Sequence, residues 1–591
     1  MVKEGGYKIE NIYLGGYSGL DSNYGDSFTG YRAETAKIGI STDPRTANVL
    51  KEISDKLAPG QKTVELSLVS PEMLDIIPKQ HLKEVNRLSK LTGVDVTVHG
   101  PLIDASGVSR QGFDETQREI AERKIIHAIN RSHEINPNGN IPVTFHTANE
   151  LPGARWTKTK EGEEFKNFMP VVNQETGQVT AVKREEKFYP HSKEKEIRTV
   201  EREVDSMNNT EWLNSLTSIE QYRKNADDLM AEPFAKLAPV IEKASKGEKI
   251  ELTPEQRVAF NQLQRANIFL NNVESAFNSL YNKAYKYSDH LQKKKLQEIS
   301  DKWMEGIEKM KESKNIFGLP FQKSQHLSNA LSMMEGISAP EVFKPAEEYA
   351  LEKSKVTFGN AAWESYKKYG DKSPIISIEN PPAGFGLSRA EDMKVMIEGA
   401  REKFVENAVK NGMGKDAARR EAEKLIGATW DVGHINQLRQ FGFTGKDIIG
   451  EAKKIAPFVK HVHLSDNFGN ENVEIPMGMG NVDLKEVMKE LGEGGEKARK
   501  IVEAAHWWQH TQSSPVGVTL EALGSPLYSM NMGPYWNQSV GFQQGYFGGY
   551  GQFLPSINYE TFGAGFSTLP AELGGQRAGG GGSRMSGRPM E

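Results

Sequence analysis

The chain has 591 residues, which is too long for one small domain and leaves either several domains or one large barrel with additions. Its 74 lysines and arginines nearly balance 79 aspartates and glutamates, and a net charge of −5 predicts neither a nucleic-acid coat nor a polyacidic tail. The sequence contains no cysteine, which excludes disulfides, a thiolate nucleophile and Cys-ligated zinc or iron–sulfur sites.

The start of the chain, MVKEGGYKIE, lacks the apolar core of a signal peptide. A run of about 18 apolar residues, which a membrane span requires, is also missing from the sequence. Together with the absence of cysteine, these features favour a cytoplasmic protein without a membrane span.

Four short apolar runs rich in β-branched residues alternate with helical patterns in the first part of the chain. They are residues 36–42, 63–69, 94–100 and 141–148. Their apolar residues are nearly continuous, as in parallel strands buried on both faces, whereas the stretches between them repeat at three and four residues. This alternation predicts βα units.

Four more runs of the same kind follow a long interruption. They are residues 373–380, 426–434, 459–467 and 516–523. Eight βα units predict an α/β fold of the (β/α)₈ TIM-barrel type, and the two halves supply roughly 330 residues, within the usual size of that fold. A doubly wound open sheet is the alternative, but a glycine-rich phosphate turn does not follow the first run.

The predicted organisation has four parts: a first barrel half at 1–150, an insertion at 151–345, a second half at 346–525 and a tail at 526–591. The insertion follows strand four and is expected to begin with a β-hairpin at 168–190 and to continue as long helices. We interpret it as a spacer or dimerisation arm, or as a lid over the barrel mouth. The tail is rich in glycine and aromatic residues, its end is expected to be disordered, and both segments are candidates for self-association.

Histidine, aspartate and glutamate side chains fall at or just past the C-terminal ends of six predicted strands. They are His99, His146, Glu379, Asp431, His434, His463 and Glu521. Because the C-terminal ends of all barrel strands meet at one mouth, these side chains are expected to converge. Buried carboxylates and imidazoles are costly unless they are paired or coordinated, and without sulfur they form a ligand set for Zn²⁺, Mn²⁺ or Fe. The pattern therefore predicts a metal site.

Several short motifs resemble those of one family. They are Glu379-Asn380 followed by Gly384 and Gly386, Asp431-x-x-His434, His463-Leu464-Ser465-Asp466, and Gly478-Met479-Gly480-Asn481. The sequence resembles the xylose isomerase-like TIM barrels and, within them, endonuclease IV, the metal-dependent class II abasic-site endonucleases. His99, His146 and Glu521 fall where that family places two early histidines and a last glutamate. The resemblance covers the two barrel halves, and neither the insertion nor the tail.

The resemblance implies a set of ligands for each metal ion. One ion would be held by His99, His146 and Glu379, and a second by Glu379, Asp431, His463 and Glu521. A third would use His434 with an Asp-x-His sequence, in whose place this chain has Asn472 and Glu474. A dinuclear centre, with Zn²⁺ as the first expectation, is therefore the implied site.

The implied activity is hydrolysis of a phosphodiester, in DNA repair at abasic sites. Glu379 would hold a bridging hydroxide and Glu521 would orient the nucleophile or accept its proton, so these two are the expected catalytic residues. Damaged DNA is the implied partner, although a net charge of −5 does not by itself supply the basic rim that a duplex requires.

A sugar isomerase or epimerase of the same superfamily is the alternative function. It would hold a single Mn²⁺ or Mg²⁺ with Glu379, Asp431, His463 and Glu521, and the two glutamates would move protons between adjacent carbons of a sugar or sugar phosphate. The two early histidines favour the endonuclease-like site, and the missing Asp-x-His weakens it. A third possibility is a non-catalytic barrel with a scaffold or binding role through the insertion and tail.

Overall fold

A computed structural model describes residues 38–57, 62–149, 151–190, 195–245, 251–312 and 318–504, together with residues 507, 515, 516, 518 and 519. The predicted tail at 526–591 lies outside the described residues. The chain forms two compact units, which we call the barrel unit and the insertion unit. The insertion unit consists of Gln111–Phe113 and Phe165–Tyr349, and the barrel unit contains the remaining described residues.

Eight parallel strands close into a barrel in the barrel unit. They are β1 (Ile38–Ser41), β2 (Thr63–Ser67), β3 (Asp95–His99), β4 (Pro142–His146), β5 (Ile375–Glu379), β6 (Ile426–Asp431), β7 (Val459–Leu464) and β8 (Arg499–Val502). Each strand pairs with the next one along the chain, and β8 pairs with β1. This closed sheet confirms the predicted (β/α)₈ barrel.

The helices of the first barrel half follow the strands as the repeating apolar pattern predicts. They are α1 (Val49–Leu57), α2 (Pro71–Ile76), α3 (Lys79–Thr92) and α4 (Glu115–His133). Local sequence sets their ends: the Asp114 side chain accepts a hydrogen bond from the Thr116 amide at the start of α4, and Gly93 ends α3 with a φ of 67°.

The insertion begins after β4 and is mainly helical. Its helices are α5 (Val200–Ser245), α6 (Pro254–Tyr287), α7 (His290–Glu312) and α8 (Leu319–Glu335). Apolar residues at helical spacing on α6, among them Leu263, Leu270 and Phe277, form part of the core of the insertion unit.

The insertion also contains short strands. The strands Glu164–Asn173 and Val179–Lys183 are antiparallel, with Val172 opposite Val179, in the segment where the sequence predicts a β-hairpin. The other short strands of the insertion are Arg155–Lys158, Glu185–Lys187, Glu196–Arg198 and Phe343–Pro345. Two more short strands, Val108–Ser109 and Gly112–Phe113, lie between β3 and α4.

The second barrel half completes the helical shell. Its α-helices are α9 (Ala346–Tyr369), α10 (Ala390–Lys410), α11 (Lys415–Leu425), α12 (Val432–Asn436), α13 (Gly445–Ile455) and α14 (Leu484–Lys497). Short 3₁₀ turns lie at Gly370–Lys372, Gln437–Phe441 and Ala456–Phe458. None of the helices in the described part of the chain combines the length and the apolar character needed to cross a membrane.

The position of the eighth strand corrects the sequence prediction. The strand is β8, whereas the prediction placed it at 516–523, where residues 516, 518 and 519 are helical. The sequence conceals β8 because Lys500 interrupts its apolar pattern. Lys500 is nevertheless fully buried, and its ammonium donates to the backbone carbonyls of Glu496 and Ala498, each at 3.1 Å.

Candidate metal centre

The C-terminal ends of the barrel strands bring six of the seven predicted site residues together, and all of them except the half-buried His146 are buried. The six are His99 on β3, His146 on β4, Glu379 on β5, Asp431 on β6, His434 on α12 and His463 on β7. The strand register aligns several of them directly, with His146 opposite Glu379 and Asp431 opposite His463.

The seventh predicted residue, Glu521, lies outside the described residues. Glu503, which directly follows β8, occupies the strand-end position that the prediction gave to Glu521. The signal was present in the sequence, because a glutamate follows Ile501-Val502 as Glu379 follows Ile378 in β5. The misplaced strand prevented its detection.

Four of these residues, on four successive strands, form one tight group that we call the tetrad. It consists of Glu379, Asp431, His463 and Glu503, and one ligand atom from each lies within 4.8 Å of all the others. His463 Nδ1 is 2.7 Å from Glu379 Oε1 and 3.3 Å from Glu503 Oε1. Oxygen and imidazole nitrogen ligands in this number suit Zn²⁺, Mn²⁺ or Mg²⁺.

His99 and His146 contact the other oxygen of Glu379. Their Nε2 atoms lie 3.3 and 3.2 Å from Glu379 Oε2, and the three residues form a second group of ligand atoms within 4.8 Å. The His99 ring is aimed by its other nitrogen, because Nδ1 donates to the Gly100 carbonyl at 2.9 Å.

The residues present fit a divalent cation. Glu379 is fully buried, yet its Oε2 accepts no well-aligned hydrogen bond from the described residues. Buried polar atoms are rarely left without a partner, and such atoms are commonly explained by a bound ion or water. A cation between these ligand atoms would satisfy the carboxylate oxygens that face it.

Burial and mutual charge shift the acidities of the group strongly. Burial raises the pKa of Asp431 to about 7. Burial also opposes ionisation of Glu503, but His463 outweighs it and lowers the pKa of Glu503 to about 2. At His99 the effect of burial is outweighed by Glu379, and the pKa rises to about 9. Protons and a cation therefore compete for the same buried atoms.

Hydrogen bonds from the backbone and from neighbouring side chains hold the carboxylates in place. The side chain of Asn380 links the ends of β5 and β6, since its amide donates to the Asp431 carbonyl and its oxygen accepts from the Asp431 amide, each at 2.9 Å. Asp431 Oδ1 accepts two hydrogen bonds, one from Ser465 Oγ at 3.1 Å and one from the His434 amide at 2.7 Å. The site thus rests on rigid strand ends.

His434 lies beside the tetrad. Its Nδ1 donates to the Asn380 carbonyl at 2.8 Å and is 3.9 Å from Glu379 Oε1. Within the described part of the chain, His434 belongs to no group of three or more ligand atoms. Asn472 accepts from the Gln437 side chain at 2.9 Å, and burial raises the pKa of Glu474 to about 7. The described residues therefore do not assemble the third site that the family resemblance implies.

Comparisons with known proteins give weak similarities. No protein-family model matches the chain, and no curated protein matches it. The chain is similar to the crystal structure of a D-tagatose 3-epimerase-like protein, with 12% identity and a TM-score of 0.36 over 84% of this chain and 98% of that one. It is also similar to apo 3-keto-D-glucoside 4-epimerase from E. coli, with 10% identity and a TM-score of 0.33 over 83% of this chain and 98% of that one. TM-scores this low do not support a conclusion about the site.

Proposed function

We propose that the chain is a metal-dependent isomerase or epimerase of a sugar or sugar phosphate, and that the tetrad binds one divalent cation. The observation that carries this proposal is the convergence of four ligand atoms from β5, β6, β7 and the end of β8 within 4.8 Å. Glu379, Asp431, His463 and Glu503 would hold the cation, and their oxygen and nitrogen atoms suit a hard divalent ion. The second group of ligand atoms shares Glu379 with the tetrad, so His99 and His146 are the two residues that belong to it alone.

The cation would polarise the carbonyl of the substrate. Glu379 and Glu503 both have a pKa lowered by His463, so each is an ionised carboxylate at neutral pH and can accept a proton. One carboxylate takes the proton from the carbon next to the carbonyl, and the electron pair of the broken C–H bond forms an enediolate. The carboxylic acid formed in this way can return its proton to the neighbouring carbon while the hydroxyl proton passes from one oxygen of the enediolate to the other. For delivery to the same carbon from the opposite face, the second glutamate must first take up a proton from solvent, and the first glutamate releases its proton to solvent afterwards. Return to the same carbon on the opposite face gives an epimer, and return to the neighbouring carbon gives an isomer.

Exchange of carbon-bound hydrogen with solvent tests this proposal. The metal-loaded chain is incubated in D₂O with a panel of ketoses, aldoses and their phosphates, and deuterium next to the carbonyl is followed by NMR. We expect incorporation with at least one sugar, and a loss of about 100-fold or more in Glu503→Gln. The exposed Glu486→Gln serves as the control and is expected to exchange like the wild type. Absence of exchange with every sugar would contradict the proposal.

A two-metal phosphodiesterase that resembles endonuclease IV is the second candidate. One observation favours it: the two oxygens of Glu379 face different groups, with His99 and His146 at Oε2 and His463 at Oε1. A carboxylate placed in this way could bridge two ions and hold the attacking water between them. We rank this function second, in contrast to the order that the sequence resemblance implies, because the ligands of the third site are not assembled.

Nicking of a duplex that contains one abasic site tests the second candidate. If it holds, the Zn²⁺-loaded chain nicks this duplex, and His146→Ala abolishes the activity. If the isomerase proposal holds, neither protein nicks the duplex. Intact duplex without an abasic site is the control for a contaminating nuclease.

A further inference from the structure

We propose that Glu65 is a positioning residue that holds His463 in the orientation and tautomer in which Nδ1 binds the cation. This inference rests on the metal site of the proposed function. It concerns a residue on β2, which contributes no ligand to the tetrad.

His463 lies between carboxylates on its two sides. On one side its Nδ1 faces Glu379 and Glu503, as described above. On the other side its Nε2 is 3.1 Å from Glu65 Oε1. Glu65, Glu379 and His463 are fully inaccessible to solvent, and the Glu503 side chain is 14% exposed.

Glu65 is itself fixed by its second oxygen. Its Oε2 accepts a hydrogen bond from Thr97 Oγ1 on β3 at 3.0 Å and lies 3.4 Å from His461 Nε2. Thr97 and His461 are fully buried as well. The carboxylate therefore has one oxygen held by its neighbours and one directed at His463.

The chemistry of imidazole connects this geometry to the metal. A ring that gives Nδ1 to a cation carries its single proton on Nε2, and that proton needs an acceptor. Glu65 Oε1 is the carboxylate oxygen within reach, at 3.1 Å, and neither this oxygen nor Nε2 makes a well-aligned hydrogen bond to another described residue. An anionic acceptor at this position fixes the ring and makes Nδ1 a stronger donor to the cation.

Glu65 does not act as a ligand of the same cation in this arrangement. The two ring nitrogens point to different sides of the imidazole, and Glu65 faces Nε2 while the tetrad carboxylates face Nδ1. Glu65, His461 and His463 also form a group of ligand atoms within 4.8 Å, so a separate ion among them is the competing explanation.

Titration of the chelator-stripped full chain with Co²⁺, followed by its visible absorption, tests the inference. We expect Glu65→Gln to bind Co²⁺ about 10- to 100-fold more weakly than the wild type, with the same number of ions per chain. Glu65→Asp keeps the charge but withdraws the carboxylate by one methylene, so its Co²⁺ affinity is expected to lie between those of the wild type and Glu65→Gln. If Glu65→Gln does not fold, Glu65→Asp is the deciding variant, and a Co²⁺ affinity of Glu65→Asp equal to that of the wild type would overturn the inference.

Glu451→Gln is the matched control. It also removes a buried carboxylate charge, from α13, and Glu451 belongs to no group of candidate ligands in the described part of the chain. Its Co²⁺ affinity is expected to equal that of the wild type even if its stability falls. Two results would overturn the inference and leave the proposed function standing. In the first, Glu65→Gln binds Co²⁺ as tightly as the wild type. In the second, the wild type binds more than one Co²⁺ per chain and Glu65→Gln binds one fewer. Failure of the wild type to bind Co²⁺ contradicts both the role of Glu65 and the proposed metal-dependent function.

Discussion

Glu379 shows how much a single side chain determines in this centre. Through Oε2 it faces His99 and His146, and through Oε1 it faces His463. It has no exposed surface, so its charge is stabilised only by these neighbours or by a cation. Its removal would leave three buried imidazoles without their shared carboxylate, which is why we expect no conservative substitute for it.

Glu451 offers a pH-dependent test that does not involve the metal. It is 2% exposed, its Oε1 accepts from Arg389 at 2.7 Å and its Oε2 accepts from the Ala390 amide at 2.8 Å. Burial opposes its ionisation, but Arg389 outweighs burial and holds the pKa below the ordinary value of 4.5. We expect Glu451→Gln to lower the free energy of unfolding by about 1 to 3 kcal/mol at pH 7, because Arg389 then keeps only Glu164, at 3.3 Å, as a charged partner among the described residues.

The sign of the pH dependence follows from the lowered pKa. The ion pair stabilises the fold above pH 4.5 and loses this contribution as the pH falls through the pKa of the folded state. Urea unfolding at pH 7 and at pH 3 should therefore show a smaller difference between wild type and variant at the lower pH. A difference that does not change between the two pH values would contradict the assignment. The exposed Glu486→Gln should change stability by less than about 0.5 kcal/mol at both.

At the scale of elements, the sequence predicts strands well where the apolar run is continuous. The runs that became β1 to β7 lie where the prediction placed them, and Glu65, Asp95 and Lys460 are each a single charged residue in an otherwise largely apolar run. The prediction of β8 was wrong because Arg499 and Lys500 make up half of this four-residue strand, and the energy of a buried ammonium depends on acceptors that only the folded chain supplies.

Part of the site could not be predicted from the sequence, because contacts between its side chains form only in the folded chain. Strand ends indicate that His99, His146 and Glu379 converge, but the sequence does not show which oxygen of Glu379 faces which ring. Glu503 was missed together with β8, and Glu65 lies in the middle of the predicted run at 63–69, where a buried glutamate can equally close a core hydrogen bond. Distances between side chains are a property of the closed barrel.

The core of the insertion unit gives a prediction at this scale. Phe277 on α6 is 2% exposed and its ring lies 4.9 Å from that of Trp303, whereas Phe269 on the same helix is 53% exposed. We expect Phe277→Ala to reduce the free energy of unfolding by about 3 to 5 kcal/mol, since it leaves a cavity. Phe269→Ala should change it by less than about 0.5 kcal/mol. Urea unfolding of both variants measures the difference, and equal losses would contradict the assignment of Phe277 to the core.

At the scale of the whole molecule, barrel closure explains how a long insertion leaves the site intact. The insertion leaves the barrel after β4 and returns before β5, and these two strands are direct neighbours with His146 opposite Glu379. Loop entropy grows only slowly with length, so a long segment between adjacent strands costs little. Residues 99 and 503 can thus contribute to one centre.

Binding of a cation should stabilise the whole barrel, because the ligands come from strands far apart in sequence. At a free Mn²⁺ concentration about 100-fold above Kd, the free energy of unfolding should rise by about 2.7 kcal/mol. Thermal unfolding with and without Mn²⁺ measures this, and a chelator should reverse the shift. Asp431→Asn should abolish the shift, and a shift of equal size in that variant would show that Mn²⁺ binds elsewhere.

The number of metal ions per chain, measured by mass spectrometry on the purified protein and its variants, tests the central claim most directly. We predict one tightly bound divalent ion per chain, retained in His146→Ala and lost in Asp431→Asn. Two ions per chain, one of which is lost in His146→Ala, would contradict the single-ion tetrad and favour the phosphodiesterase, and a chain that binds no ion would contradict both functions.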